Sequence, residues 1–247
     1  MSVAEQWRGG ILGHTHNRST AIRNVSPVKL LAVDTTSERE SVALADDLVV
    51  LAEARVRAHG HSRQLLPAIE FVLRASGIEG MEIEGYAVTV GPGSFTGVRV
   101  GLSTVQGLAL ASGRPCLGVS TLDVLAAAIA GEAPTLVPMV DASRAGQVFA
   151  AVYGTDARPL GDPRSVAAEA IVGGIEGPLA VVGDGADRYR AEIVARRPDA
   201  LFPRRRLYLA AALARLAAPR LAAGEGTAPG ALRPLYLRAA DIRPSGP

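Results

Sequence analysis

The chain has 247 residues, 48% hydrophobic and 20% charged, enough to bury a sizeable core as one compact domain or as two lobes of roughly 100 residues each. Its net charge is +2, and Lys29 is the only lysine; so strong an arginine bias reports genome composition and supports nucleic-acid binding only weakly. Cys116 stands alone, which excludes an intramolecular disulfide framework and suits a reducing cytosol, and no run approaches the apolar length of a transmembrane helix.

Residues 1–28 lack the apolar core of a signal peptide, although their arginines and scarcity of acid are compatible with an organellar transit peptide. They are expected to be a disordered extension, with the fold opening at "VKLLAVDTTS". "KLLAVD" (29–34) predicts a buried strand ending at Asp34, and 41–56 predicts two strands about a turn at Asp46-Asp47. Residues 62–76 place Leu65, Ile69, Val72, Leu73 and Ser76 on one helical face, with Ser62 as cap and Pro67 delaying or kinking the first turn. A strand at 85–90, a helix at 97–112, a short strand at 115–120 and a helix to about 131 follow.

A related layout then returns. Residues 135–153 read as strand, turn and strand, with Asp141 closing the first as Asp34 did. Residues 179–194 read as strand, glycine-rich turn and helix, and 207–223 as a long apolar helix with Pro219 near its end. Two such units predict a two-lobed α/β fold with duplicated mixed sheets: lobe I at 29–131, lobe II at 132–228, and a segment 229–247 packing back on lobe I.

"GPGSFTGVRVGLS" (91–103) has the look of a phosphate loop and fails the strict tests. Thr96 stands where a dinucleotide fingerprint needs its third glycine, and the lysine of a P-loop is absent. What remains is a helix start that Ser94 or Thr96 can cap and whose first N–H groups can face an anion. The following helix is rich in small residues at Gly97, Gly101, Ser103 and Gly107, and mid-helix glycines cost about 1 kcal/mol each relative to Ala. A close approach by another helix is the expected compensation. Phosphate binding is the second reading.

"LLAVDTTS", "HSRQLLPAIE", the block "GPGSFTGVRVGLSTVQGLALASGRPCLGVSTLDVLA", "VDASRAGQVFAAVY" and "PLYLR" together resemble the bacterial TsaB family across residues 29 to 240. The resemblance implies the two-lobed fold of actin, Hsp70 and sugar kinases. It also implies a non-catalytic role in making the threonylcarbamoyladenosine of tRNA, beside a catalytic TsaD subunit and a TsaE-type ATPase. On that resemblance a docking face for TsaD, or for a second copy, is expected on the two helices through Leu65, Ile69, Val72, Gly101, Val105, Gly107 and Leu108. Asp34, Thr35, Thr36, Gly93, Ser94, Thr96 and Asp141 would be vestiges of nucleotide and anion loops.

The catalytic paralogue carries two metal-binding histidines in a G-V-N-H-x-E-G-H run, and the corresponding "GVSTLDVL" (118–125) has Thr121 and Leu125 there. No metal or catalytic residue is therefore expected on this chain, and ATP/ADP and a metal ion are expected on partner proteins. The histidine pairs His14/His16 and His59/His61 lack a third ligand. A cytoplasmic location without membrane attachment is expected, with tRNA reached through the complex; Arg204, Arg205, Arg206, Arg233, Arg238 and Arg243 could attract its backbone or simply be solvated. The alternative is an actin-like ATPase or small-molecule kinase, weakened by Arg144 where a second phosphate hairpin would want a small turn. A peptidase lacks both a framed nucleophile and a complete metal site.

Overall fold

The computed structural model describes residues 28–57, 64–144, 146–204 and 207–237. The amino-terminal extension, His59, His61, Ser62, Arg205, Arg206, Arg238 and Arg243 lie outside the described residues.

The first sheet has strand order β3-β2-β1-β4-β5, built from β1 (Lys29–Asp34), β2 (Arg39–Asp46), β3 (Val49–Arg57), β4 (Gly85–Thr89) and β5 (Cys116–Val119). β1 is a near-continuous apolar run because both of its faces are covered. Leu31 and Val33 pack beneath α1 (Leu65–Ser76) and α2 (Phe95–Ser112), whereas Leu30 and Ala32 point to the opposite core. β1 runs antiparallel to β2, pairing Lys29 with Asp46 and Asp34 with Ser41, and parallel to β4. The hairpin turn falls at Asp47-Leu48, with Asp47 at φ 53°.

Pro67 delays the helix as its sequence demands: α1 begins at Leu65, so the proline occupies the first turn, where its missing N–H has no intrahelical acceptor to lose. α2 starts two residues earlier than expected, because Ser94 Oγ accepts from Gly97 N at 3.2 Å and so fixes the cap ahead of Phe95. Ser120 caps α3 (Thr121–Ala128) in the same way, accepting from Leu122 N at 3.2 Å.

The second sheet repeats the plan. It joins β6 (Thr135–Arg144), β7 (Gln147–Ala150), β9 (Arg164–Val166) and β10 (Leu179–Val182) in the order β10-β6-β7-β9, with β8 (Tyr153–Gly154) also on β6. Its outer face is covered by α4 (Ala168–Gly173), α5 (Asp184–Arg188) and α6 (Arg190–Arg196), through Ile171, Val172, Ala186, Tyr189 and Ile193. Arg197 ties this layer together. Its guanidinium donates to the carbonyls of Val172 (3.3 Å), Ile175 (2.5 Å) and Gly177 (2.6 Å) and pairs with Asp199 at 2.8 Å. That hydrogen bond holds the Asp199 carboxyl at about 2, below the ordinary carboxylate range.

The division at residue 132 needs one correction. The last helix, α7 (Ala210–Ala222), belongs by sequence to lobe II yet packs across β1, β2 and β4 of the first sheet. Its Ala- and Leu-rich stripe (Ala210, Leu213, Ala214, Ala217, Ala218, Leu221) is thin enough to lie close on that sheet, where Leu221 fills the space above Gly85. One core runs through Leu30, Ala32, Leu122 and Leu125 of the first lobe, Leu136, Val140 and Val182 of the second, and Leu213 of α7. Segment 229–237 then returns along lobe I. Leu235 N donates to Val90 O at 2.8 Å, and Gln106 Nε2 donates to Pro229 O at 3.0 Å.

Candidate functional site

The cleft between the lobes is built around the end of β1. Asp34 is fully buried, and its Oδ1 accepts from Thr89 Oγ1 at 2.6 Å, Thr36 Oγ1 at 2.7 Å and Thr36 N at 3.3 Å. Its Oδ2 has no hydrogen-bond partner among the described residues. Burial pushes the Asp34 carboxyl above its ordinary value, against the pull of the two threonine hydroxyls. An aspartate that organises a divalent ion must offer oxygen to the cleft; this one is sealed inside the lobe. Thr35 is equally committed, donating its hydroxyl to Gly97 O at 2.7 Å.

The sign of the Asp34 effect is open to measurement. Its folded pKa lies above the unfolded value near 3.8, so folding takes up a proton. The stability it contributes is complete below that value and is lost as pH rises through the folded pKa. Asp34→Asn is permanently neutral and keeps an acceptor for the two threonines. Its melting temperature, relative to the parent, should therefore improve from about pH 4 to about pH 8. A difference that stays flat or shrinks with pH would contradict the buried, proton-holding role.

Asp141, the counterpart in lobe II, is held by different groups. Its Oδ2 pairs with Arg188 Nη1 at 2.6 Å, its Oδ1 accepts from Ser143 N at 3.3 Å, and its own N–H donates to Asp184 Oδ1 at 3.0 Å. The backbone donors that a phosphate hairpin presents are engaged at several points. Thr36 N goes to Asp34, Arg39 N to Ser37 Oγ at 3.1 Å, and Gly146 N to Tyr189 OH at 3.1 Å. Groups already satisfied inside the chain are not free to meet an anion. Asp184 and Arg188 were not among the residues expected here. The signal lay in "VGDGADRY", where an acid and a base four residues apart share one helical face.

The glycine-rich loop explains itself by contact. A methyl group at Gly97 would overlap the Thr35 carbonyl oxygen, one at Gly93 would sit 2.5 Å from Thr36 O, and one at Gly101 would strike the Thr35 hydroxyl. These glycines let the loop and the start of α2 lie directly on the end of β1, and Ser94 N completes the contact by donating to Thr36 O at 2.7 Å. Thr96 is exposed and caps nothing, since Ser94 holds that position. The close approach is thus intramolecular at Gly97 and Gly101. Lobe II shows the same device, with Gly183 pressed on Met139 O and Gly185 on Asp141 N.

The expected docking face is corrected on the same grounds. Leu65, Ile69, Val72, Gly101 and Val105 are buried beneath α1 and α2, against their own sheet, and Leu108 is half-buried beside them. A side chain that fills its own core cannot also contact a partner. Gly107 does face outward, with nothing near the position of a Cβ. Elsewhere the two helices turn other apolar groups to solvent: Leu66 (60% exposed) and Phe71 (50%) on α1, Phe95 (52%) and Leu110 (75%) on α2. At the start of α2, Arg99 stacks on Phe95 at 3.8 Å and donates to Tyr236 OH at 3.2 Å. Leu66 and Phe71 are apolar residues lying off the buried stripe, and that displacement was the readable sign.

Comparison with known proteins gives this geometry its context. The family model described as "TsaD: tRNA N6-adenosine threonylcarbamoyltransferase" matches residues 54–177, half of the chain. The tRNA threonylcarbamoyladenosine biosynthesis protein TsaB of Escherichia coli K12 is 39% identical over 131 residues, 52% of this chain and 56% of that protein. The chain thus spans about half the length of the curated relatives it matches. The structure of YeaZ from Pseudomonas aeruginosa superposes with a TM-score of 0.72 at 31% identity, covering 85% of this chain and 100% of that one. The chain belongs to the TsaB family. Its two-lobed actin-like architecture extends beyond TsaB proteins: component A of the Acidaminococcus fermentans (R)-2-hydroxyglutaryl-CoA dehydratase shares the fold at a TM-score of 0.50 and 11% identity.

In this TsaB chain the two positions that the family resemblance matches to metal-binding histidines are both buried, Thr121 in the first turn of α3 and Leu125 in the shared core. A hydroxyl is a poor ligand for a soft or borderline metal, and a hydrocarbon is none. Among the described residues, no group of three or more His, Cys, Asp or Glu is placed to hold a metal ion. None of the described helices is long and apolar enough to cross a membrane.

Proposed function

We propose that this chain is the non-catalytic subunit of the complex that makes threonylcarbamoyladenosine in tRNA, docking on a TsaD-type catalytic subunit through the outward face of α1 and α2. A TsaE-type ATPase completes the system, tRNA is reached through the complex, and all of it works in the cytoplasm. Nucleotide and metal belong to the partners. The observation that carries this reading is the pairing of TsaB kinship with a cleft whose aspartates are spent on Thr36, Thr89 and Arg188. The chain keeps the architecture of a nucleotide-hydrolysing fold and has turned its polar groups to structural use. Meanwhile Leu66 and Phe71 on α1 and Leu110 on α2 turn apolar surface to solvent, and Gly107 is open.

The same face would serve a homodimer, since a twofold interface presents one patch from each copy. Self-pairing and TsaD binding then compete, and added TsaD converts homodimer into heterodimer. Gly107→Arg tests this, because the open space at Gly107 lets the variant fold while a long side chain wedges the helices of the complex apart. Overpacking of about 1–3 kcal/mol corresponds to a loss of roughly 5- to 150-fold in affinity. Native mass spectrometry of parent and variant with TsaD reads the outcome. Persistence of both complexes, unchanged, in a folded Gly107→Arg protein would show that the face is wrongly assigned. The actin-like fold also admits an ATPase, and turnover of ATP and magnesium by the pure chain above about 1 s⁻¹ would favour it instead.

A further inference from the structure

We infer that the two lobes are tied across their cleft by a single structural water held between Thr121 and Asp184. A cavity of about 20 Å³ lies where the lobes meet, lined by Thr36, Ser37, Arg39 and Thr121 from lobe I, by Val140 and Asp184 from lobe II, and by the apolar side chains of Leu125, Leu207 and Leu209. That volume suits one water molecule and little else. Thr121 is only 3% exposed, and its Oγ1 has no hydrogen-bond partner among the described residues. A buried hydroxyl left so is costly, and native proteins satisfy nearly all such groups with protein or with ordered water.

The lining selects the ligand. Arg39 brings a positive charge and opposes a cation; Asp184 brings a carboxylate and opposes an anion. A neutral molecule that donates and accepts is what remains. Water gives Thr121 Oγ1 its missing partner and donates to the Asp184 carboxylate, whose Oδ1 already accepts from Asp141 N. Burial raises the Asp184 carboxyl, consistent with a site of low polarity where one more donor is valuable. Thr121 opens α3 in the first lobe and Asp184 opens α5 in the second, so the bridge joins one helix start from each lobe. It stands on this geometry alone and does not depend on the partner reading.

A crystal structure of the full chain at about 1.8 Å or better should show one ordered water within hydrogen-bond distance of Thr121 Oγ1. Thr121→Val supplies an independent sign, since it keeps the shape of the side chain and removes the hydroxyl. If the hydroxyl holds a bridging water, the variant should melt about 2–4 °C lower, whereas Thr121→Ser should stay near the parent. If the hydroxyl has no partner, Thr121→Val should melt higher. Absence of the water from the electron density, or an unchanged or raised melting temperature in Thr121→Val, overturns the inference.

Discussion

Gly97→Ala is expected to be among the most damaging single-methyl changes in the chain. Helix propensity alone would favour it by up to about 1 kcal/mol. Against that gain, the new methyl overlaps the Thr35 carbonyl oxygen, a backbone atom held by its place at the end of β1. Relief requires moving α2 away from the sheet, which also breaks the hydrogen bonds from Thr35 Oγ1 to Gly97 O and from Ser94 N to Thr36 O. A net cost of about 3 kcal/mol or more follows, or roughly 6–12 °C in melting temperature for a chain of this size. Gly107→Ala, ten residues along the same helix, meets no neighbour and should gain about 1 kcal/mol. Thermal melts of the two variants therefore diverge in sign. Equal shifts would mean that the loop does not rest on β1 as described.

Arg197→Ala is the second large effect. One guanidinium satisfies the carbonyls of Val172 in the last turn of α4 and of Ile175 and Gly177 just beyond it, while pairing with Asp199. Removing it leaves several polar groups to find water at a partly buried site, at a cost of about 2–4 kcal/mol. Arg197→Lys should recover only a fraction, because an ammonium is a compact point charge and cannot reproduce the planar fork that reaches three carbonyls and a carboxylate together. Chemical denaturation of the three proteins ranks them. A lysine variant as stable as the parent would show that charge, and not the fork, is what matters.

Both predictions concern contacts that the sequence leaves hidden, and the reason is the same. The alternation of strands and helices was readable because it is local. "KLLAVD" is an apolar run bounded by turn residues, and Ser94 sits where a cap belongs. Helical periodicity also identified Leu65, Ile69 and Val72 as one stripe, but a stripe does not say whether it faces its own sheet or another molecule. Mid-helix glycines carry the same ambiguity, and here Gly101 serves the chain's own strand while Gly107 faces out. The commitments of Asp34 depend on Thr89, 55 residues away, which no local pattern reports. Between residues 153 and 175, β8, β9 and α4 are two to six residues long, too short for a period to show.

The position of α7 has a consequence for synthesis. Lobe I is encoded almost entirely before residue 132, yet one face of its sheet is closed by residues 210–222. On the ribosome the first lobe emerges with Leu30, Ala32, Ala87 and Leu117 still uncovered on that side, and it must wait for nearly the whole chain before its core is complete. A fragment cut at the lobe boundary would expose the same surface permanently. The two halves are repeats in plan, and the molecule matures as one piece.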